Sequence, residues 1–63
     1  MENKVIKLMT ADEAAGFLNI KKPRLRRAIF KREVKYIKLG ALIRFKHEHL
    51  NEWIRRQTIE PAA

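Results

Sequence analysis

The chain has 63 residues, of which 15 are Lys or Arg and 7 are Asp or Glu, giving a net charge of +8, and it contains no Cys. A chain of this length makes one small domain that buries only about 60% of its unfolded surface, which leaves no room for a deep catalytic cleft. Without Cys, neither a disulfide framework nor a Cys-ligated zinc is available as a staple, so apolar packing must hold the fold. The positive balance calls for an anionic partner: nucleic acid first, then an acidic membrane surface or an acidic protein. No apolar run approaches the ~18 residues of a membrane span, and the opening "MENKVIKLMT" is too polar for a signal peptide. The expectation is a soluble, cytoplasmic (nucleoid-associated) protein with no membrane partner.

Residues 1–9 read as an extended lead-in. "TADE", 10–13, is a capping box in which the Thr10 hydroxyl accepts from the Glu13 amide and the Glu13 carboxylate reaches back. Asp12 and Glu13 also suit the positive end of the helix dipole. A short helix is expected through Leu18, with Ala14, Ala15, Phe17 and Leu18 on its apolar side. Gly16 in mid-helix costs about 1 kcal/mol relative to Ala, which suggests a close helix–helix approach there. "LNIKKP", 18–23, reads as a turn: Asn19 tolerates the left-handed conformation that ends helices, and Pro23 suits a first helical turn.

"KKPRLRRAIFKRE", 21–33, reads as a second helix, with Leu25, Ala28 and Ile29 as a narrow apolar stripe. Helix, tight turn and basic helix within this span have the spacing of a helix-turn-helix. Eight of the fifteen Lys and Arg fall between Lys21 and Lys35, where Glu33 is the only acid. Like charges on neighbouring turns repel, and Lys21, Lys22 and Arg24 oppose the dipole at the helix start. The missing negative charge is therefore expected on a partner. Arg24 and Arg27, at i and i+3, are placed on one face with Lys31, and Arg26 to one side.

After Val34 the apolar period shortens to an alternation. "YIKLGALIRF", 36–45, reads as a β-hairpin about Gly40. A two-residue Gly40-Ala41 turn pairs Leu39 with Leu42 and mixes both faces. A three-residue loop pairs Leu39 with Ile43, gathering Ile37, Leu39, Ile43 and Phe45 on one apolar face and Tyr36, Lys38, Leu42 and Arg44 on the other. Burial favours the second register, although Gly40 stands early for such a loop. "HEHLNEWIRRQ", 47–57, is expected as a final helix with Leu50, Trp53 and Ile54 facing the core and Glu52 pairing with Arg56. The domain is thus drawn over 10–57, with a flexible tail at 58–63.

His47 and His49, two residues apart, diverge on a helix and have no third ligand nearby, so no metal site is expected. No nucleophile–base set, paired carboxylates or glycine-rich phosphate loop is present, so neither an enzyme nor a cofactor is expected. A membrane-surface helix would need a wider apolar face. Single-stranded nucleic acid would need stacking aromatics, which make up 8% of the chain.

Taken end to end, residues 8–54 resemble the small winged-helix DNA-binding domains of the excisionase and MerR-like family. The likeness rests on "LMTADEAAGFLNI", similar to the family's Leu-Thr-x-x-Glu-Ala-Ala opening and turn. The basic helix, the hairpin "IKLGALIRF" and the closing "LNEWI", similar to a Leu-x-x-Trp helix, carry it further. The resemblance implies a small α+β winged helix-turn-helix: two helices, a hairpin wing and a C-terminal helix. It implies that the second helix enters the major groove of duplex DNA while the wing lies on the backbone or minor groove alongside.

Carried over by position, Lys22, Pro23, Arg24, Arg26 and Arg27 sit where such domains meet bases and phosphates, with Lys21 and Lys31 at the ends of the same helix. Arg44 matches the wing arginine, accompanied by Lys38 and Lys46, and Thr10 matches a helix start that approaches a phosphate. Three places depart from the pattern: Arg32 stands where the family usually has Gly, Lys35 where it often has Pro, and Lys21 and Pro23 where small polar residues are common. The implied roles are a recombination directionality or architectural factor, or a small transcriptional regulator. Implied partners are further copies on adjacent DNA sites and a recombinase or RNA polymerase. The competing reading is a protein-interaction module using the basic face and Phe30 to bind an acidic partner.

Overall fold

The computed structural model, which describes residues 7–61, has three helices and a two-stranded hairpin: α1 Ala11–Leu18, α2 Lys22–Phe30, β1 Ile37–Leu39, β2 Leu42–Arg44 and α3 His47–Gln57. This is a small α+β winged helix-turn-helix. Residues 1–6 of the lead-in and 62–63 of the tail lie outside the described residues.

The capping box forms as its residues require: the Thr10 hydroxyl accepts from the Glu13 amide at 3.1 Å, and the Thr10 amide donates to the Glu13 carboxylate at 2.9 Å. Asn19 ends α1 at φ 58°, with its own amide bonded to the Gly16 carbonyl and that of Ile20 to Ala15. This is the paired-bond stop that the left-handed residue makes possible. It lets α2 begin three residues later, with Pro23 in its first turn.

The basic helix is shorter than its charge run. It stops at Phe30 because Arg32 adopts φ 58°, and the Arg32 and Glu33 amides bond back to Ile29 at 3.0 Å and Ala28 at 2.8 Å. The same closing motif thus ends α1 and α2. The position where the family usually carries Gly is the left-handed one, here held by an arginine.

Ala14, Ala15, Leu25, Ala28, Val34, Phe45, Leu50 and Trp53 form one buried cluster, with Met9, Leu18, Ile20, Ile29 and Ile43 packed against it. Met9 pairs with Phe45 through two backbone hydrogen bonds, 2.8 and 2.9 Å. That bridge ties the end of the lead-in to the wing and so to the core.

Four local expectations are corrected. A Cβ at Gly16 would meet nothing within 4 Å, so the glycine marks no close approach. Phe17 and Ile54 are exposed, not core; Phe17 rests against the His47 ring, centroids 4.6 Å apart. Glu52 reaches Lys35 at 3.3 Å in place of Arg56, and the Arg56 guanidinium donates to the Glu33 carbonyl at 3.0 Å. The hairpin takes the register Ile37 with Arg44, Lys38 with Ile43 and Leu39 with Leu42, which is the two-residue turn.

The reason for that register is local. Gly40 has φ +63° and Ala41 does not, matching the two-residue hairpin turn with glycine first, whose twist suits the strands. Ile43 and Phe45 still reach the core, so the cost of this register falls on Leu39 and on Ile37, which pairs with Arg44 on the same face and stays half-buried. Leu39 joins Leu42 on the outer face, at 50% and 53% exposure.

Candidate nucleic-acid interface

Successive helical residues turn by ~100°. Around α2 from the core-facing Leu25 come Ile29, Lys22, Arg26, Phe30, Pro23, Arg27, Lys31, Arg24 and Ala28. Leu25 and Ala28 are buried and Ile29 is half-buried, so Arg26, Phe30, Pro23, Arg27 and Lys31 form the outward face. Lys22 and Arg24 lie on its two flanks.

The flanking cations are neutralised within the fold. Lys22 Nζ meets the Asp12 carboxylate of α1 at 2.9 Å. Arg24 meets Glu33 at 3.8 Å and lies over the Trp53 ring of α3 at 5.7 Å from its centre. The outward cations are different. Among the described residues no carboxylate lies within ion-pair distance of Arg26, Arg27 or Lys31. Exposed pairs of the flanking kind contribute about 0–1 kcal/mol each, enough to relieve the helix start but not to neutralise the helix. The repulsion read from the sequence is therefore partly answered inside the molecule, at Lys22 and Arg24, and left open on the face that looks out.

The remaining expected residues lie at the start of α2, on the hairpin, before α3 and at the start of α1. Lys21 is the cap residue of α2 and makes no side-chain cap hydrogen bond. Lys38 is exposed on β1, and the half-buried Arg44 on β2 donates to the carbonyl of Ile43 at 2.9 Å. Lys46 precedes α3 and sits 3.7 Å from Glu48. The Thr10 hydroxyl is occupied by its capping bond. Arg24 keeps its place beside Lys31 on the wheel, but its guanidinium is engaged with Trp53 of α3 and with Glu33. Phe30 has no expected DNA role, yet it lies in the middle of the outward face at 87% exposure. Its i+4 relation to Arg26 was the available signal.

Residues 8–58 match the family model described as a helix-turn-helix domain. The chain belongs to the helix-turn-helix domain family. Its fold and its family agree with the excisionase-like resemblance read from the sequence, and they make this a DNA-binding helix-turn-helix protein with double-stranded DNA as its ligand class. No curated protein and no solved structure gives a match. No helix among the described residues is long and apolar enough to cross a membrane.

Proposed function

We propose that this helix-turn-helix protein binds double-stranded DNA with sequence preference through the outward face of α2, with the hairpin as a flanking wing. The carrying observation is the separation of charge on α2: cations on its flanks have partners, and Arg26, Arg27 and Lys31 between them have none among the described residues. Phosphates supply the missing counter-charge and most of the affinity. Arg26 and Arg27 are the guanine readers, through paired donation to O6 and N7. Lys21, Lys22, Lys31, Lys38, Arg44 and Lys46 serve backbone phosphates, and the α1 start at Thr10 approaches one more. Pro23 shapes the entry of α2 into the groove. Arg24, held against Trp53 and Glu33, contributes mainly by fixing the helix.

One such module buries roughly 600–1,000 Å² on DNA and binds weakly alone, which favours several copies on adjacent sites. The output fits an architectural or recombination directionality factor, or a compact regulator, working beside a recombinase or RNA polymerase in the cytoplasm. The deciding experiment is selection of bound duplexes from a random pool, followed by titration of the selected and a random duplex at several salt concentrations. Enrichment of a sequence whose affinity falls steeply with salt supports the reading. No enrichment, with binding to an acidic protein that random duplex cannot displace, supports the interaction-module alternative.

A further inference from the structure

Phe30 poses a physical problem that the DNA reading of the charges does not answer. A phenylalanine at 87% exposure keeps a large apolar side chain in water, and nothing in the fold covers it. Its position is specific: on the wheel it falls between Arg26 on one side and Pro23 and Arg27 on the other. The apolar ring is therefore the centre of the outward face, and the unpaired cations are its rim. A partner for this face must be anionic around its edge and offer a small apolar group in the middle.

We propose that Phe30 contacts the C5-methyl group of a thymine in the major groove and is a specificity-determining residue of this protein. The proposal rests on the reading that α2 enters that groove. The major groove is about 12 Å wide, and the thymine methyl is the apolar group its edges display, one that Phe side chains contact. Pro23 and Phe30 lie on the same side of a nine-residue helix, about 14 Å long, so with α2 lying along the groove the ring faces base edges together with the helix start. Phe30 follows Arg26 by four residues, about 6 Å along the axis, which corresponds to about two base-pair steps. The thymine is thus expected about two base pairs from the guanine read by Arg26.

The test begins with the sequence selected from a random duplex pool by the full chain. Each thymine is then replaced in turn by uracil, which removes only the C5-methyl, and binding is measured for the parent, Phe30→Ala and Phe30→Leu. Replacement at one thymine is expected to weaken the parent roughly fourfold, the effect of losing one buried methylene-sized group. The same replacement leaves Phe30→Ala unchanged, and Phe30→Leu retains part of the sensitivity. Because the side chain is exposed, the variants are expected to melt like the parent, and melting curves check this. The proposal is overturned if no thymine shows this coupling, if Phe30→Ala binds the selected duplex like the parent, or if it weakens all duplexes equally. Binding of an acidic protein that needs Phe30 while DNA affinity does not would also overturn it. Failure to enrich any sequence defeats the DNA reading itself and this proposal with it, a result distinct from enrichment without coupling.

Discussion

The guanidinium of Arg24 lies over the indole of Trp53, 5.7 Å from the ring centre, and reaches the Glu33 carboxylate at 3.8 Å. Trp53 is itself 5% exposed, so this one side chain joins the first turn of α2 to the middle of α3 and to the loop that follows α2. A charge that sequence reasoning marks as destabilising is thereby turned into a contact between elements.

Arg24→Ala is accordingly expected to lower stability by about 0.5–1 kcal/mol, the magnitude of an exposed cation–π contact, while Arg27→Ala leaves it within a few tenths. Urea titrations of the two variants beside the parent make the comparison. Equal midpoints for Arg24→Ala and the parent would mean the contact with Trp53 adds no net stability, its gain being offset by repulsion at the helix start.

Trp53→Ala removes the contact and the core beneath it. Truncating a buried aromatic costs roughly 3–5 kcal/mol, and small domains have little more to lose. Loss of a cooperative melting transition is the expected result. Melting within a few degrees of the parent would show that α3 does not depend on Trp53 for docking.

Two backbone positions are expected to gain stability on substitution. At Gly16 an added Cβ meets nothing within 4 Å, so Gly16→Ala should raise stability by up to about 1 kcal/mol through helix propensity. At Arg32 the backbone has φ 58°, where an L side chain costs roughly 1–2 kcal/mol. Glycine avoids that cost but has a more flexible unfolded chain, leaving a net gain of about 0.5–1 kcal/mol for Arg32→Gly. Thermal melts of both variants test this. A lower melting temperature for Arg32→Gly would mean that the arginine side chain contributes more than its backbone costs.

These positions also show how far the sequence could be read. The capping box at Thr10–Glu13, the left-handed Asn19 and the stripe Leu25–Ala28–Ile29 were legible because each depends on residues within a turn or two. The hairpin was legible as an element but misread in register. There the φ preference of Gly40 outweighed the burial of Leu39 and Ile37, since Ile43 and Phe45 reach the core in either arrangement. Salt partners were the least legible. Asp12–Lys22, Lys35–Glu52 and the seat of Arg24 are tertiary contacts, and a charge count cannot separate a cation paired across helices from one facing out. The basic face could be located from the sequence, and its division into paired flanks and an unpaired centre could not.

The wing offers a direct check of the register. Ile43 packs against the core and Leu42 is 53% exposed, so Ile43→Ser should destabilise by about 2–4 kcal/mol and Leu42→Ser by less than about 0.5. Both registers share that expectation, and Leu39→Ser tells them apart, because the observed pairing leaves Leu39 outside whereas the three-residue loop would bury it. A large drop in melting temperature for Leu39→Ser would favour that other register.

The outward face of α2 is tested by separating two kinds of loss. If Arg26 and Arg27 read guanine edges, alanine at either should cost roughly 1–3 kcal/mol on the selected duplex and relax its preference over a random one. Lys31→Ala and Arg44→Ala should instead weaken both duplexes alike and reduce the salt slope by about one unit for each phosphate left without its cation. Arg24→Ala is expected to show a third pattern, a modest loss on both duplexes accompanied by lower stability, because its guanidinium is already engaged with Trp53 and Glu33. The three patterns need paired titrations at several salt concentrations beside a melting curve for each variant. The free-standing cations are distinguished from Arg24 by one result: their removal changes binding and leaves melting unchanged. Should Arg26→Ala and Arg27→Ala bind like the parent and melt lower, those arginines hold the fold together and the outward face of α2 is not where DNA is read.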